Sequence, residues 1–167
     1  MTDTRVKFKA VWDAHPMNLP TPEHDPCRNA AGDPAFANEC AVRMGVALKG
    51  AGVTVPASKA VKHCWYAGHV QHTLLAEQVA GWILLQKAKF GKADKKVGKN
   101  WDATNGVDVS YFKDKKGIIF FKDFWKRSDA EKSPTGDHID IWDGQKQGSG
   151  SDDYFERSKQ LWFWALP

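Results

Sequence analysis

Cys40 sits where a thiol is easiest to ionise. It follows Asn38-Glu39 and opens the apolar-periodic run Ala41 to Leu48, which stops at Gly50-Ala51-Gly52. The pattern predicts a short helix with a capping Asn and a thiol in its first turn. Unpaired N–H groups and the positive dipole end favour thiolate there, the form that attacks carbonyl carbon, and Arg43 adds positive charge nearby. A structural cysteine that simply packs is the competing reading. About a hundred residues later His138 opens His138-Ile139-Asp140-Ile141-Trp142, directly after a loop ending in Gly136, so its ring can stand at a sheet edge facing the helix end. A helix-start Cys with a distant strand-borne His is the signature of a thiol hydrolase. The two groups share a proton as a thiolate–imidazolium pair, and a third polar group orients the ring.

The other chemistry-bearing residues form weaker patterns. His63, Cys64, His69 and His72 are of types that zinc prefers, but they follow no repeated ligand spacing, and Trp65, Tyr66 and Gly68 sit among them. They read as surface and half-buried imidazoles, and neither a metal nor a cofactor is expected. The odd count of cysteines allows one disulfide, and Cys27–Cys64 with Cys40 free is the pairing expected. Trp142, Trp65 and Tyr66 are either cleft walls or core.

The elements that must position these groups follow in chain order. Residues 5 to 15 carry enough apolar positions for a helix that Pro16 ends, and six Pro and Gly between 16 and 34 make a loop that can wall a cleft ahead of Cys40. Val53 to Pro56 is a brief extended piece, 57 to 72 is irregular, and Leu74 to Phe90, closed by Gly91, is the strongest amphipathic pattern. The lysine-rich stretch 87 to 99 reads as a solvated loop. Lys116 to Lys122 encloses an apolar run expected of a central strand, 138 to 142 makes a second strand, 145 to 153 is turn material, and Leu161 to Leu166 makes a third strand. Helices followed by antiparallel strands give an α+β order, here one catalytic domain over residues 1–167.

Composition excludes disorder: 42% of residues are hydrophobic and 26% charged. Eight Trp and nine Phe must fill much of the core or line a cleft. A net charge of +4 suits an anionic partner without choosing one. The first residues carry no apolar signal core, and no run is long enough to span a bilayer. The expectation is a protein made in the cytoplasm that another route would carry elsewhere.

Taken together, Asn38-Glu39-Cys40-Ala41-Val42-Arg43-Met44 with Gly50-Ala51-Gly52-Val53, then Lys116-Gly117-Ile118-Ile119-Phe120-Phe121, Gly136-Asp137-His138-Ile139-Asp140-Ile141-Trp142-Asp143-Gly144 and Leu161-Trp162-Phe163-Trp164-Ala165-Leu166-Pro167 resemble the fourth family of type VI secretion amidase effectors. That resemblance implies a papain-like (NlpC-type) cysteine peptidase fold, with N-terminal helices packed on an antiparallel C-terminal sheet. It implies an antibacterial toxin handed to the type VI secretion machinery and injected into a rival's periplasm, where it cuts peptidoglycan stem peptides between D-glutamate and meso-diaminopimelate. A cognate immunity protein, acting as a dimer, would block the cleft, and no nucleic acid is implied. The family's ring-orienting acid usually stands about eleven residues after the His, which here falls on Ser149. Allowing the turn an insertion, the resemblance places it at Asp152, with Asp153 next. Asp140, on the same strand face as His138, competes, although an adjacent residue more easily bonds the loop than the far ring nitrogen. Two other classes stay open: a non-catalytic module binding cell wall or nucleic acid, and a deamidase or transglutaminase-like thiol enzyme.

Overall fold

The computed structural model describes residues 3–97 and 106–167, so the last two residues of the lysine-rich stretch, 98 and 99, lie outside the described residues. Five α-helices appear in order: α1 Phe8–Ala14, α2 Cys40–Gly50, α3 Ala76–Leu85, α4 Lys87–Phe90 and α5 Asp153–Arg157. Four strands, β1 Asp94–Val97, β2 Gly117–Trp125, β3 Gly136–Trp142 and β4 Gln160–Ala165, form one antiparallel sheet in the order β1-β4-β2-β3.

The centre of that sheet is the apolar run expected to be buried on both faces. Ile118 and Phe120 of β2 join Ile139, Ile141 and Trp164 in a core that also takes Met44 and Leu48 of α2 and Val79 and Ile83 of α3. The alternate residues Ile119 and Phe121 join Trp142, Leu161, Phe163, Phe112 and Phe155 on the other face. Strand alternation therefore divides the aromatic content between two cores. Trp142 belongs to the second of these and its indole N–H donates to the Phe112 carbonyl at 2.9 Å, so it is core and not cleft wall.

Several expected elements change on folding. The long helix predicted over 74–90 breaks at Gln86, whose backbone leaves helical space, and α4 ends at Gly91 with φ of 79°. The stretch read as a solvated loop contributes β1, a polar edge strand in register with β4. Its lysines lie over aromatic faces, Lys95 Nζ 3.7 Å from the Trp162 ring centre and Lys96 Nζ 4.0 Å from that of Tyr111. Such cation–π contacts let charged residues cover a sheet edge. The turn material after β3 runs on into α5, whose fully buried Phe155 anchors it to the second core.

Helix α2 begins where predicted. Asn38 Oδ1, one residue ahead of the N-cap Glu39, accepts the Cys40 N–H at 3.2 Å. The helix packs against α1, α3 and β3, and a Cβ at Gly45 would lie 2.1 Å from the Gln71 carbonyl oxygen. Only glycine lets the helix approach so closely the segment whose Thr73 hydroxyl donates to the Ala41 carbonyl. Among the described residues no helix is long and apolar enough to cross a membrane. Gly45→Ala is expected to lower the unfolding free energy by about 1–3 kcal/mol, read as a lower urea midpoint at unchanged slope.

Candidate active site

The edge strand β3 presents its functional residues at two successive same-face positions, 138 and 140, about 6.6 Å apart along the strand. Asp140 is fully buried and His138 nearly so. Laid along the strand, the His138 ring brings Nε2 to within 3.1 Å of Asp140 Oδ2. The structure thus joins His138 to Asp140, not to Asp152 or Asp153. Asp152 is exposed ahead of α5, and Asp153 is bonded to Ser151 and Arg157. The expectation failed on reach, because a short carboxylate two residues on meets the far nitrogen of a ring that lies along the strand.

Ser149 stands at the offset where the resemblance implies an acid, and it serves that acid's site from the other side. Its N–H and its hydroxyl both donate to Asp140 Oδ2, at 2.7 and 2.8 Å, while the Ile141 N–H donates to Oδ1 at 2.7 Å. His15, buried at the end of α1, holds Nε2 3.3 Å from Asp140 Oδ1. Gly148 makes this crowding possible, because a Cβ there would lie 2.7 Å from Asp140 Oδ1 and 2.9 Å from His15 Cε1. His15 escaped the sequence reading, since a lone histidine before a proline carries no pattern.

With Nε2 committed to Asp140, Nδ1 is the His138 nitrogen left for Cys40. Burial alone would push the Cys40 thiol up, but hydrogen bonding and charge attraction to His138, together with the Ile139 backbone N–H, hold it below its ordinary value. Burial likewise disfavours the His138 cation, yet its bonds to Asp140 and Cys40 outweigh that and raise it to about 9. Asp140 is lowered against the pull of burial, by His138, His15 and Ser149. All three directions run the same way, each favouring the charged form: thiolate, imidazolium and carboxylate. Around the ring, Phe121, Phe124 and Tyr154 make aromatic contacts, the last at 5.1 Å between ring centres. Arg43 is engaged elsewhere: its guanidinium binds the His24 carbonyl and Asp25, both at 2.7 Å, and pins the loop ahead of α2.

Cys40 is buried among side chains but reaches a cleft of about 290 Å³, lined with Asn38, Leu74 to Gln78, Trp125, Arg127 and Asp137. The thiol is therefore not sealed in the interior. Trp65 and Tyr66, expected as possible cleft walls, do not line it; Trp65 is 71% exposed and rests edge-on against Phe36. Cys27 and Cys64, expected to be bridged, are free thiols with their sulfurs 3.5 Å apart.

Comparison with known proteins bears on the family and the fold. The family described as type VI secretion system (T6SS), amidase effector protein 4 (Tae4) matches residues 36–164. Tae4 from Enterobacter cloacae superposes with a TM-score of 0.69 at 18% identity, covering 100% of both chains. The Tae4–Tai4 effector–immunity complex of the same organism gives 0.66 at 18% identity, covering 98% of this chain and 100% of that one. Tae4 from Salmonella typhimurium, bound to the immunity protein Tai4 of Enterobacter cloacae, gives 0.67 at 19% identity, with coverage of 98% and 100%. These likenesses show the papain-like NlpC-type fold. A search of curated proteins finds no match.

The proton-sharing arrangement predicts how Cys40 reacts. Iodoacetamide is expected to alkylate the native thiol with a midpoint below the ordinary thiol value. In His138→Ala the midpoint moves up, because burial is then opposed by the Ile139 N–H alone. In Asp140→Asn the neutral-pH rate falls about tenfold or more, as the imidazolium that stabilises the thiolate is weakened. Mass spectrometry of the Cys40 peptide across pH gives the midpoints.

Proposed function

The chain belongs to the Tae4 family of type VI secretion amidase effectors, and from that premise we propose that it is a D,L-endopeptidase hydrolysing the D-glutamate to meso-diaminopimelate bond of peptidoglycan stems, with residues 1–167 acting as one catalytic domain. The observation that carries this reading is the buried Cys40–His138–Asp140 line opening on a cleft that holds both Arg127 and Glu77. An anionic stem peptide that also carries an amine offers partners to both charges. The net charge of +4 suits approach to an anionic wall.

In this proposal the Cys40 thiolate attacks the D-glutamyl carbonyl carbon, and the oxyanion is held by backbone N–H groups at the start of α2. The tetrahedral species collapses with cleavage of the C–N bond. His138, as imidazolium, gives its proton to the departing amine through Nδ1. Neutral His138 then takes a proton from water, whose oxygen attacks the thioester carbonyl, and the acid product leaves with the thiolate restored. Asp140 keeps the ring oriented throughout. Delivery into the periplasm of a target cell, and a cognate immunity protein that acts as a dimer and plugs the cleft, complete the proposal. The Tae4–Tai4 complexes support an immunity protein as partner.

Digestion of sacculi tests it. The native chain is expected to release stems shortened at the D-glutamate bond, and Cys40→Ala to lose about 10⁴-fold or more of that rate while keeping its circular dichroism spectrum. Intact stems in which an amide has become a carboxylate would mark a deamidase, and undiminished activity in Cys40→Ala a binding module. Because His138 must be protonated to release the amine, kcat/KM is expected to fall on the alkaline side near the His138 value of about 9. Asp140→Asn removes an interaction that raises that value, so this limb moves to lower pH.

A further inference from the structure

Away from the cleft, Cys27, Cys64 and His69 bring three ligand atoms together from two loops that are distant in sequence. Cys27 Sγ and Cys64 Sγ are 3.5 Å apart, and His69 Nδ1 lies 3.4 Å from the first and 3.5 Å from the second. Among the described residues this is the group of His, Cys, Asp and Glu side chains that converges as a metal cradle. A tetrahedral zinc ion at ordinary bond lengths separates two sulfur ligands by about 3.8 Å and a sulfur from a nitrogen by about 3.5 Å. The observed triangle has edges of that size. A disulfide would account for the two sulfurs, but not for an imidazole nitrogen equidistant from both.

A second observation points to the same place. His72 is buried, its ring centre is 4.7 Å from that of His69, and its Nδ1 has no hydrogen-bond partner among the described residues. His72 therefore packs against the ring of His69 just outside the three-atom cradle. The backbone braces it as well, since the Cys64 N–H donates to the His72 carbonyl at 2.8 Å.

We propose that Cys27, Cys64 and His69 bind one zinc ion, with water in the fourth position, as a structural clamp. Soft thiolates with imidazole select zinc over the hard divalent cations, and binding releases the two thiol protons. The clamp ties the loop ahead of α2 to the irregular segment after it. The Cys27 N–H donates to Glu39 at 3.1 Å, so the tie ends one residue from Cys40. The inference is independent of the amidase reading, because its ligands are not the catalytic ones.

The test uses the full chain without a polyhistidine tag, purified under reducing conditions and analysed for metal by mass spectrometry. About one zinc per chain is expected in the native protein and in Cys40→Ala, and loss of that zinc in Cys27→Ser. Cobalt titrated into the chelated native protein is expected to give a thiolate charge-transfer band and tetrahedral d–d bands. Should Cys27→Ser not fold, alkylation of the native chain decides: Cys27 and Cys64 are shielded with zinc present and become reactive after chelation. Metal-free native protein carrying a Cys27–Cys64 disulfide, zinc retained in folded Cys27→Ser, cobalt without a thiolate band, or the same alkylation with and without zinc would each overturn the proposal.

Discussion

A carboxylate taken wholly out of water must be fully bonded or it will not stay ionised. Asp140 meets that demand with four donor groups from three residues: the His138 ring, the Ile141 backbone, and both the N–H and the hydroxyl of Ser149. The surrounding architecture follows from the requirement. Residues 148 and 149 must return the chain against β3, which needs a glycine at 148, and α1 must end by setting His15 beside the second oxygen. Leaving such a carboxylate with one partner removed costs about 3–5 kcal/mol, so the cluster fixes its own geometry more firmly than a surface triad would.

The buried anion in turn decides the state of the other two groups. His138 would lose its proton in an apolar setting, but beside Asp140 the imidazolium is retained, and the imidazolium together with the Ile139 N–H favours the thiolate over the thiol. The sheet contributes through its edge: among the described strands β3 pairs with β2, and its other edge meets residues 147–149 near Trp142 and the start of α2 near Ile139. The first turn of that helix adds the positive end of its dipole. A fixed interior anion thereby acts, through a buried ring, on a sulfur that reaches the cleft.

Much of this was legible in the sequence because the signals were local. Asn38 and the apolar period of 41–48 identify α2, and the unbroken run 117–121 identifies the central strand. What resisted was non-local. Asp152 and Asp140 are both plausible acids in one dimension, and only the direction of the His138 ring along β3 separates them. Strand β1 reads as a solvated loop because its lysines are stabilised by Trp162 and Tyr111, which lie elsewhere in the chain. The triangle of Cys27, Cys64 and His69 has no recognisable spacing, since its members are brought together by two irregular loops whose course no periodicity predicts.

The central claim is that His138 is a cation at neutral pH because an anion holds it on each side. Nitrogen-15 NMR of the ring across a pH titration tests it most directly. The account predicts imidazolium shifts for both His138 nitrogens through neutral pH, titrating near 9, and a clear fall of that midpoint in Cys40→Ala, where the thiolate is gone. A neutral ring below pH 7 in the native protein, or a midpoint unmoved by Cys40→Ala, would contradict it.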